Sequence, residues 1–299
     1  MKDFPVDVAA NAGAEKSVAV LVADLVKARL TALVLLTTAA GFYIGEPGHV
    51  HLLLLLNTLG GTALVAAGAA ALNQWLEREF DAKMARTQDR PLPSGRMAPA
   101  AAAAFGGVSA VAGLVYLALS VNLPTSVLGA ITLISYLFIY TPLKRVTWAN
   151  TAIGAIPGAL PPLMGWTAAR NDLAGGGWTL FAILAFWQIP HFFAIAWIYR
   201  DEYAKAGFVM LPNTPDGGHR TAQQTVSHAL ALFIVSLCPF LFRMAGVVYL
   251  AGAVILGVAF LFCAAQFSLQ LTTQRARRLF LASILYLPLL LGVLCLDKL

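Results

Sequence analysis

The sequence predicts an all-α polytopic membrane protein: about nine transmembrane helices, forming two four-helix pseudo-repeats plus a ninth helix around a central cavity. Three observations lead there. Of the 299 residues, 59% are hydrophobic and only 11% are charged, whereas a soluble domain carries about 25% charged residues. The apolar runs reach the ~20 residues needed to cross a hydrocarbon core, and they do not alternate, so helices rather than a barrel satisfy the backbone in lipid. Finally, a charged stretch near residue 80 recurs near residue 200.

The spans follow in order. The first, 26–45, stops ahead of Glu46-Pro47-Gly48. The second, 52–75, opens on a leucine run and ends in a charged stretch. The third, 98–119, is alanine-rich; the fourth, 124–141, ends before Lys144 and Arg145. The fifth, 149–168, holds Pro157, Pro161 and Pro162, and the sixth, 178–199, holds Pro190; Gly and Pro are tolerated in membrane helices. The last three are 222–241, 246–270 and 279–297. Cys238, Cys263 and Cys295 all sit in apolar runs without ligand or disulfide spacing, and read as small packing residues.

Nine spans put the termini on opposite sides. With the N-terminus cytoplasmic, 17 of the 20 Lys and Arg residues fall on the inside, leaving only Arg170, Arg243 and Lys298 outside. That bias sets the orientation. It also gives the net charge of +6 a membrane meaning: the bases flank spans, so the partner is a lipid bilayer and no nucleic acid is expected. The opening MKDFPVDVAANAGAEK has neither the apolar core of a secretory signal nor the Arg-rich character of a transit peptide. The expected location is a bacterial inner membrane, with a periplasmic C-terminus, a polar cytoplasmic tail over 1–24 and one transmembrane domain over 25–299. Eleven of the 14 acids also lie inside. Orientation does not require this, since acids contribute little to it.

Those acids concentrate in NQWLEREFDAKMARTQDRPLPSG, residues 73–95, which carries 8 of the 34 charged side chains. If the second helix continues past Leu76, then Asn73, Glu77 and Asp81 follow at i, i+4 and i+8 and share one face. Two carboxylates one turn apart repel; a cation between them reverses the sign. Hard oxygen ligands suit Mg²⁺, which usually binds one or two carboxylates plus substrate phosphates. WLEREFDAK (75–83) realigns with WIYRDEYAK (197–205), with Trp, Arg, Ala and Lys identical. Four helices separate the copies, so both leave the membrane on the same side, and repeats of this kind often place a site between the halves. The second copy adds Asp201 and Glu202. Rimmed by Arg78, Lys144, Arg145, Arg200 and Lys205, the two acidic groups would hold a diphosphate through Mg²⁺, above a greasy bundle for an apolar tail. The plainer alternative is solvated loop charge, with Lys83 and Arg86 paired to Glu79 and Asp89 and Arg90-Pro-Leu-Pro-Ser-Gly a helix stop. In span six, WQIPHFFAIAW (187–197) puts His191 about ten residues, ~15 Å of helix, below Asp201. An ionisable group at that depth usually faces a cavity or a partner.

These stretches, with YTPLKRVTWANTAIGAIPGALPPLMGW and DEYAKAGFVMLP, resemble the heme O synthase branch of the UbiA-type intramembrane prenyltransferase superfamily, over about residues 24–297. The superfamily's first motif matches Asn73, Glu77 and Asp81; RTQDRPLPSGR and the PHF segment point to the heme-modifying branch. Two features depart from the pattern. Lys27-Ala28-Arg29 stands where Lys-Pro-Arg is expected, and Asp201 is followed four residues on by Lys205 rather than a second Asp. The resemblance implies a prenyltransferase domain over 25–299 that transfers farnesyl from farnesyl diphosphate to a vinyl group of heme B, with addition of water, to give heme O. It implies Mg²⁺ as cofactor, held by Asn73, Glu77, Asp81, Asp201 and Glu202; diphosphate held by Arg29, Arg78, Lys144, Arg145, Arg200 and Lys205; and heme contacted by His191. Heme A synthase or terminal-oxidase assembly proteins are the implied protein partners. The alternatives are a sister enzyme with an aromatic acceptor such as 4-hydroxybenzoate, a secondary transporter, which places its polar groups nearer the midplane, and a heme-binding assembly factor, which leaves the acidic motifs without a role.

Overall fold

The computed structural model describes residues 17–299. Of the expected polar tail, residues 1–16 lie outside the described residues. The described residues are mainly helical and form no strand; one isolated bridge joins Ala245 to Lys298. A short α1 (Val18–Leu25) leads into α2 (Ala28–Gly45), α3 (Leu52–Asp81) and α4 (Pro99–Ser120). Then come α5 (Leu123–Leu143), α6 (Asn150–Arg170), α7 (Gly175–Ile198) and the six-residue α8 (Arg200–Lys205). The chain closes with α9 (Gly217–Leu241), α10 (Val247–Leu269) and α11 (Thr273–Leu296).

Eight of these helices are long and apolar enough to cross a membrane. The ninth long helix, α6, is less apolar because little of it needs to meet lipid: fifteen of its 21 residues are buried. It packs against α2, α3, α5 and α7, so its three prolines and three glycines are covered by neighbours. The helix pair α2–α6 packs backbone against backbone. A Cβ on Gly165 would lie 2.0 Å from the Thr38 carbonyl oxygen, and one on Gly41 2.0 Å from that of Pro162. Small residues at such crossings let backbones approach where lipid supplies no hydrophobic drive. Gly165→Ala is therefore expected to force the helices apart at about 1–3 kcal/mol, read as a lower thermal midpoint in detergent. An unchanged midpoint would mean the contact is not needed.

The pseudo-repeat is visible in side-chain geometry. In α3, Arg78 donates to the carbonyl of Trp75 at 3.1 Å and its guanidinium lies 6.0 Å from that ring. In α7 and α8, Arg200 donates to the carbonyl of Trp197 at 2.9 Å and lies 5.1 Å from its ring. The same Arg-on-Trp arrangement thus ends the second helix of each four-helix unit. Large apolar side chains such as Leu33, Val108, Val254 and Leu285 point outward, as a lipid-facing surface requires.

Helix α3 extends six residues past the expected end at 75, to Asp81. Its 30 residues span ~45 Å at 1.5 Å per residue, against a hydrocarbon core of about 30 Å. The excess carries its last two turns into the charged end of the bundle.

Candidate active site

The predicted stripe lies on one inward face of α3. Asn73, Glu77 and Asp81 are 0%, 6% and 2% exposed. Buried carboxylates need partners, and each finds one from a different element. Lys144, just past α5, donates to both oxygens of Glu77, at 2.9 and 3.1 Å. Arg90, in the loop after α3, donates to Asp81 Oδ2 at 2.6 Å. Asn73 Nδ2 donates to Glu77 Oε2 at 3.0 Å and to Thr141 Oγ1 at 3.1 Å. Lys27 completes the group by donating to Asn73 Oδ1 at 2.7 Å.

The backbone aims these groups. Lys27 has φ 49°, a left-handed conformation uncommon for a non-glycine residue, and it turns the chain between α1 and α2. Gln74 Nε2 pins that turn by donating to the carbonyls of Asp24 and Leu25 at 2.9 and 2.7 Å. Residues Ser135–Tyr140 of α5 form a π-helix, a wide turn found frequently at functional sites. It stacks Tyr136 on Tyr140, with centroids 5.8 Å apart, and places Tyr140 4.6 Å from the Lys144 ammonium. Lys144 itself is fixed by the segment after α8, since the Val209 amide donates to its carbonyl at 2.8 Å.

Three cationic heads thus meet two carboxylates. Burial pushes Lys27 down to about 7, and the positive charges of Arg90 and Lys144 push the same way. Burial also opposes charge on Lys144, but Tyr140, Glu77 and Tyr136 outweigh it and raise its pKa, so it stays charged. The group is short of negative charge, which is what an arriving anion supplies. Asn73, Glu77 and Asp81 are hard oxygen donors of the kind Mg²⁺ takes, and Asp81 Oδ1 makes no hydrogen bond to the described residues. The donor chemistry fits a divalent ion that displaces the lysine contacts.

The other expected residues are placed differently. Arg78 pairs with Glu79 at 3.1 Å and with its own helix, and Arg200 with Trp197. Arg145 stacks 4.7 Å from the Phe80 ring. Arg29 and Lys205 are exposed. Asp201 is 84% exposed, with Arg200 3.9 Å away, and Glu202 is half-buried. Among the described residues no three His, Cys, Asp or Glu side chains converge. The two acidic motifs are joined instead through aromatics. Phe80 packs on Phe208 at 5.9 Å, and Arg86 donates to the Tyr203 hydroxyl at 3.1 Å while lying 5.3 Å from the Tyr199 ring. Lys27, Arg90 and Thr141 are site residues that motif spacing did not single out; they join the stripe from 46, 9 and 68 positions away.

His191 lies in α7, half-buried. Its ring stacks on Trp187 and lies tilted by 30° against Phe280, each with a centroid 5.0 Å away.

Comparison with known proteins bears on both regions. The UbiA prenyltransferase family matches residues 34–287. A protoheme IX farnesyltransferase of Solibacter usitatus is 49% identical over 284 residues, covering 92% of this chain and 97% of its own. That of Myxococcus xanthus is 45% identical over 291 residues, covering 96% and 98%. The human mitochondrial protein of that name is 39% identical over 271 residues, covering 91% of this chain and 60% of its own. Among solved structures, a digeranylgeranylglyceryl phosphate synthase superposes with a TM-score of 0.80 at 17% identity, over 93% of this chain and 98% of its own. A UbiA homologue from Archaeoglobus fulgidus bound to GPP and Mg²⁺ does so with a TM-score of 0.66 at 16% identity, over 92% and 99%. With a family match across most of its length and relatives at 39–49% identity, the chain belongs to the UbiA prenyltransferase family.

Proposed function

We infer that this protein transfers the farnesyl group of farnesyl diphosphate to a vinyl group of heme B, with addition of water, giving heme O and diphosphate. The carrying observation is the buried, charge-deficient cluster of Lys27, Lys144 and Arg90 around Asn73, Glu77 and Asp81. The full-length relatives named protoheme IX farnesyltransferase support the acceptor.

The chemistry follows from the charges. The C1–O bond of the allylic diphosphate breaks, leaving negative charge on diphosphate and positive charge on the farnesyl carbon. Lys144 and Arg90 turn from the carboxylates, and Lys27 from the Asn73 amide oxygen, to the departing oxygens, and cations placed in this way lower the barrier where charge develops. Mg²⁺ would be held by Asn73, Glu77 and Asp81, with the exposed Asp201 and the half-buried Glu202 as a second donor set, and would supply further charge stabilisation; a UbiA homologue bound to GPP and Mg²⁺ supports that choice. The vinyl terminus of heme B forms the new C–C bond, and water adds its hydroxyl to the adjacent carbon, releasing a proton. Tyr136 and Tyr140 line the site beside Lys144 and keep bulk water from the allylic carbon. The inner bacterial membrane, with the cluster on the cytoplasmic side, fits the charge asymmetry of the loops.

The test sets two acceptors against each other. Purified protein is given farnesyl diphosphate and Mg²⁺, with heme B or with 4-hydroxybenzoate, and diphosphate release is followed. Release that depends on heme B is expected. Release that depends on the aromatic acid would move the protein to the sister branch.

A further inference from the structure

The His191 ring is held by more than its aromatic neighbours. Its Nδ1 lies 2.6 Å from Ser283 Oγ on α11, and Ser283 Oγ lies 2.6 Å from the Phe280 carbonyl oxygen. A serine hydroxyl has one proton, and a carbonyl can only accept. Were that proton turned to the ring, two oxygens would face each other at 2.6 Å with no hydrogen between them. Both contacts are bonds only if Nδ1–H donates to Oγ and the hydroxyl donates to the carbonyl. This places the ring proton on Nδ1 and leaves Nε2 a bare lone pair. Nε2 has no partner among the described residues. The same serine takes a second bond from α7, because Trp187 Nε1 donates to its backbone oxygen at 2.8 Å. Trp187 and His191 are four residues apart on α7, so one residue of α11 fixes both the stacking ring and the imidazole.

We propose that Ser283 is a positioning residue for the acceptor: it locks His191 in the tautomer and orientation that present Nε2 to the iron of heme B. The proposal rests on the reading that the protein binds heme. A histidine that ligates a metal almost always donates its other ring N–H to an oxygen, and losing that oxygen typically costs 10–100-fold in affinity. Nothing in the charged cluster of α3 depends on Ser283, so farnesyl diphosphate recognition should not feel its loss.

The full chain in nanodiscs is titrated with ferric heme B and followed in the Soret region, with farnesyl diphosphate binding measured by calorimetry as the check on folding. Wild type is expected to give a saturable band. His191→Ala should lose the ligand-dependent band position. Ser283→Ala should weaken heme binding about 10–100-fold and broaden the band, Ser283→Cys should do the same with serine's volume kept, and Ser283→Thr should restore it, with farnesyl diphosphate binding unchanged throughout. Wild-type spectra and affinity in Ser283→Ala or Ser283→Cys, with His191→Ala defective, would overturn the positioning role and leave the heme contact standing. A wild-type spectrum in His191→Ala would remove His191 as the contact and the proposal with it. Absence of heme binding by wild type would overturn the functional reading beneath both.

Discussion

Asp81→Ala is expected to lower farnesyl transfer by about 100- to 1,000-fold, the range for losing one element of preorganised charge stabilisation. Asp81 brings a buried carboxylate to the end of α3, with Oδ2 held by Arg90 at 2.6 Å and Oδ1 making no hydrogen bond to the described residues. It is the one acid of the stripe with an oxygen to offer. On the proposed function its loss removes a metal donor; it also frees Arg90, which is 27% exposed and able to swing. The variant should still insert, because α3 keeps its apolar length. Activity is measured on membranes with equal protein content, over a range of Mg²⁺. Turnover within a few-fold of wild type at low Mg²⁺ would show that Asp81 holds no metal.

Lys144→Met carries the second large effect. Lys144 is the cation that both oxygens of Glu77 accept from, and it touches Tyr140 of the π-helix. Removing it strands a carboxylate that is 6% exposed and, on the proposed function, costs the diphosphate a charge partner. Breaking a buried pair from one side typically costs about 3–5 kcal/mol. The expected result is therefore a loss of about 100-fold or more in kcat/KM together with a lower thermal midpoint. The double variant Glu77→Gln/Lys144→Met separates the two effects. It should recover much of the stability, since no buried charge is left alone, and none of the activity. A double variant that regained activity would show that Lys144 serves only to neutralise Glu77.

Much of this site was legible in the sequence where it depends on one element. The i, i+4, i+8 spacing put Asn73, Glu77 and Asp81 on one face because helix geometry alone decides it, and α3 is long enough to carry them inward. The Trp–Arg repeat was legible for the same reason, and its copies share one geometry. What could not be read depends on contacts between distant segments. Lys27 reaches Asn73 only because the chain turns through a left-handed residue that nothing in VKARL marks. Arg90 sits in RPLPSG, whose prolines and glycine announce a turn without saying which way its first side chain points. The basic residues nearest the acids in sequence, Arg78 and Arg200, turn back onto their own tryptophans instead. Asp201 and Glu202 open the short helix α8 after a break at Tyr199, so a continuous-helix estimate of their height over His191 does not apply. The fifth span shows the limit of hydropathy: α6 is central and enclosed, so its composition answers to helix neighbours rather than lipid.

The central claim joins a metal-assisted diphosphate clamp to a heme acceptor in one bundle. It is tested most directly by incubating the purified protein with heme B, farnesyl diphosphate and Mg²⁺, with and without EDTA, and taking the mass spectrum of the heme fraction. The account predicts a heme heavier by one farnesyl group and one hydroxyl group, absent with EDTA and restored by added Mg²⁺. An unmodified heme fraction, under conditions where a known heme O synthase yields product, would contradict it.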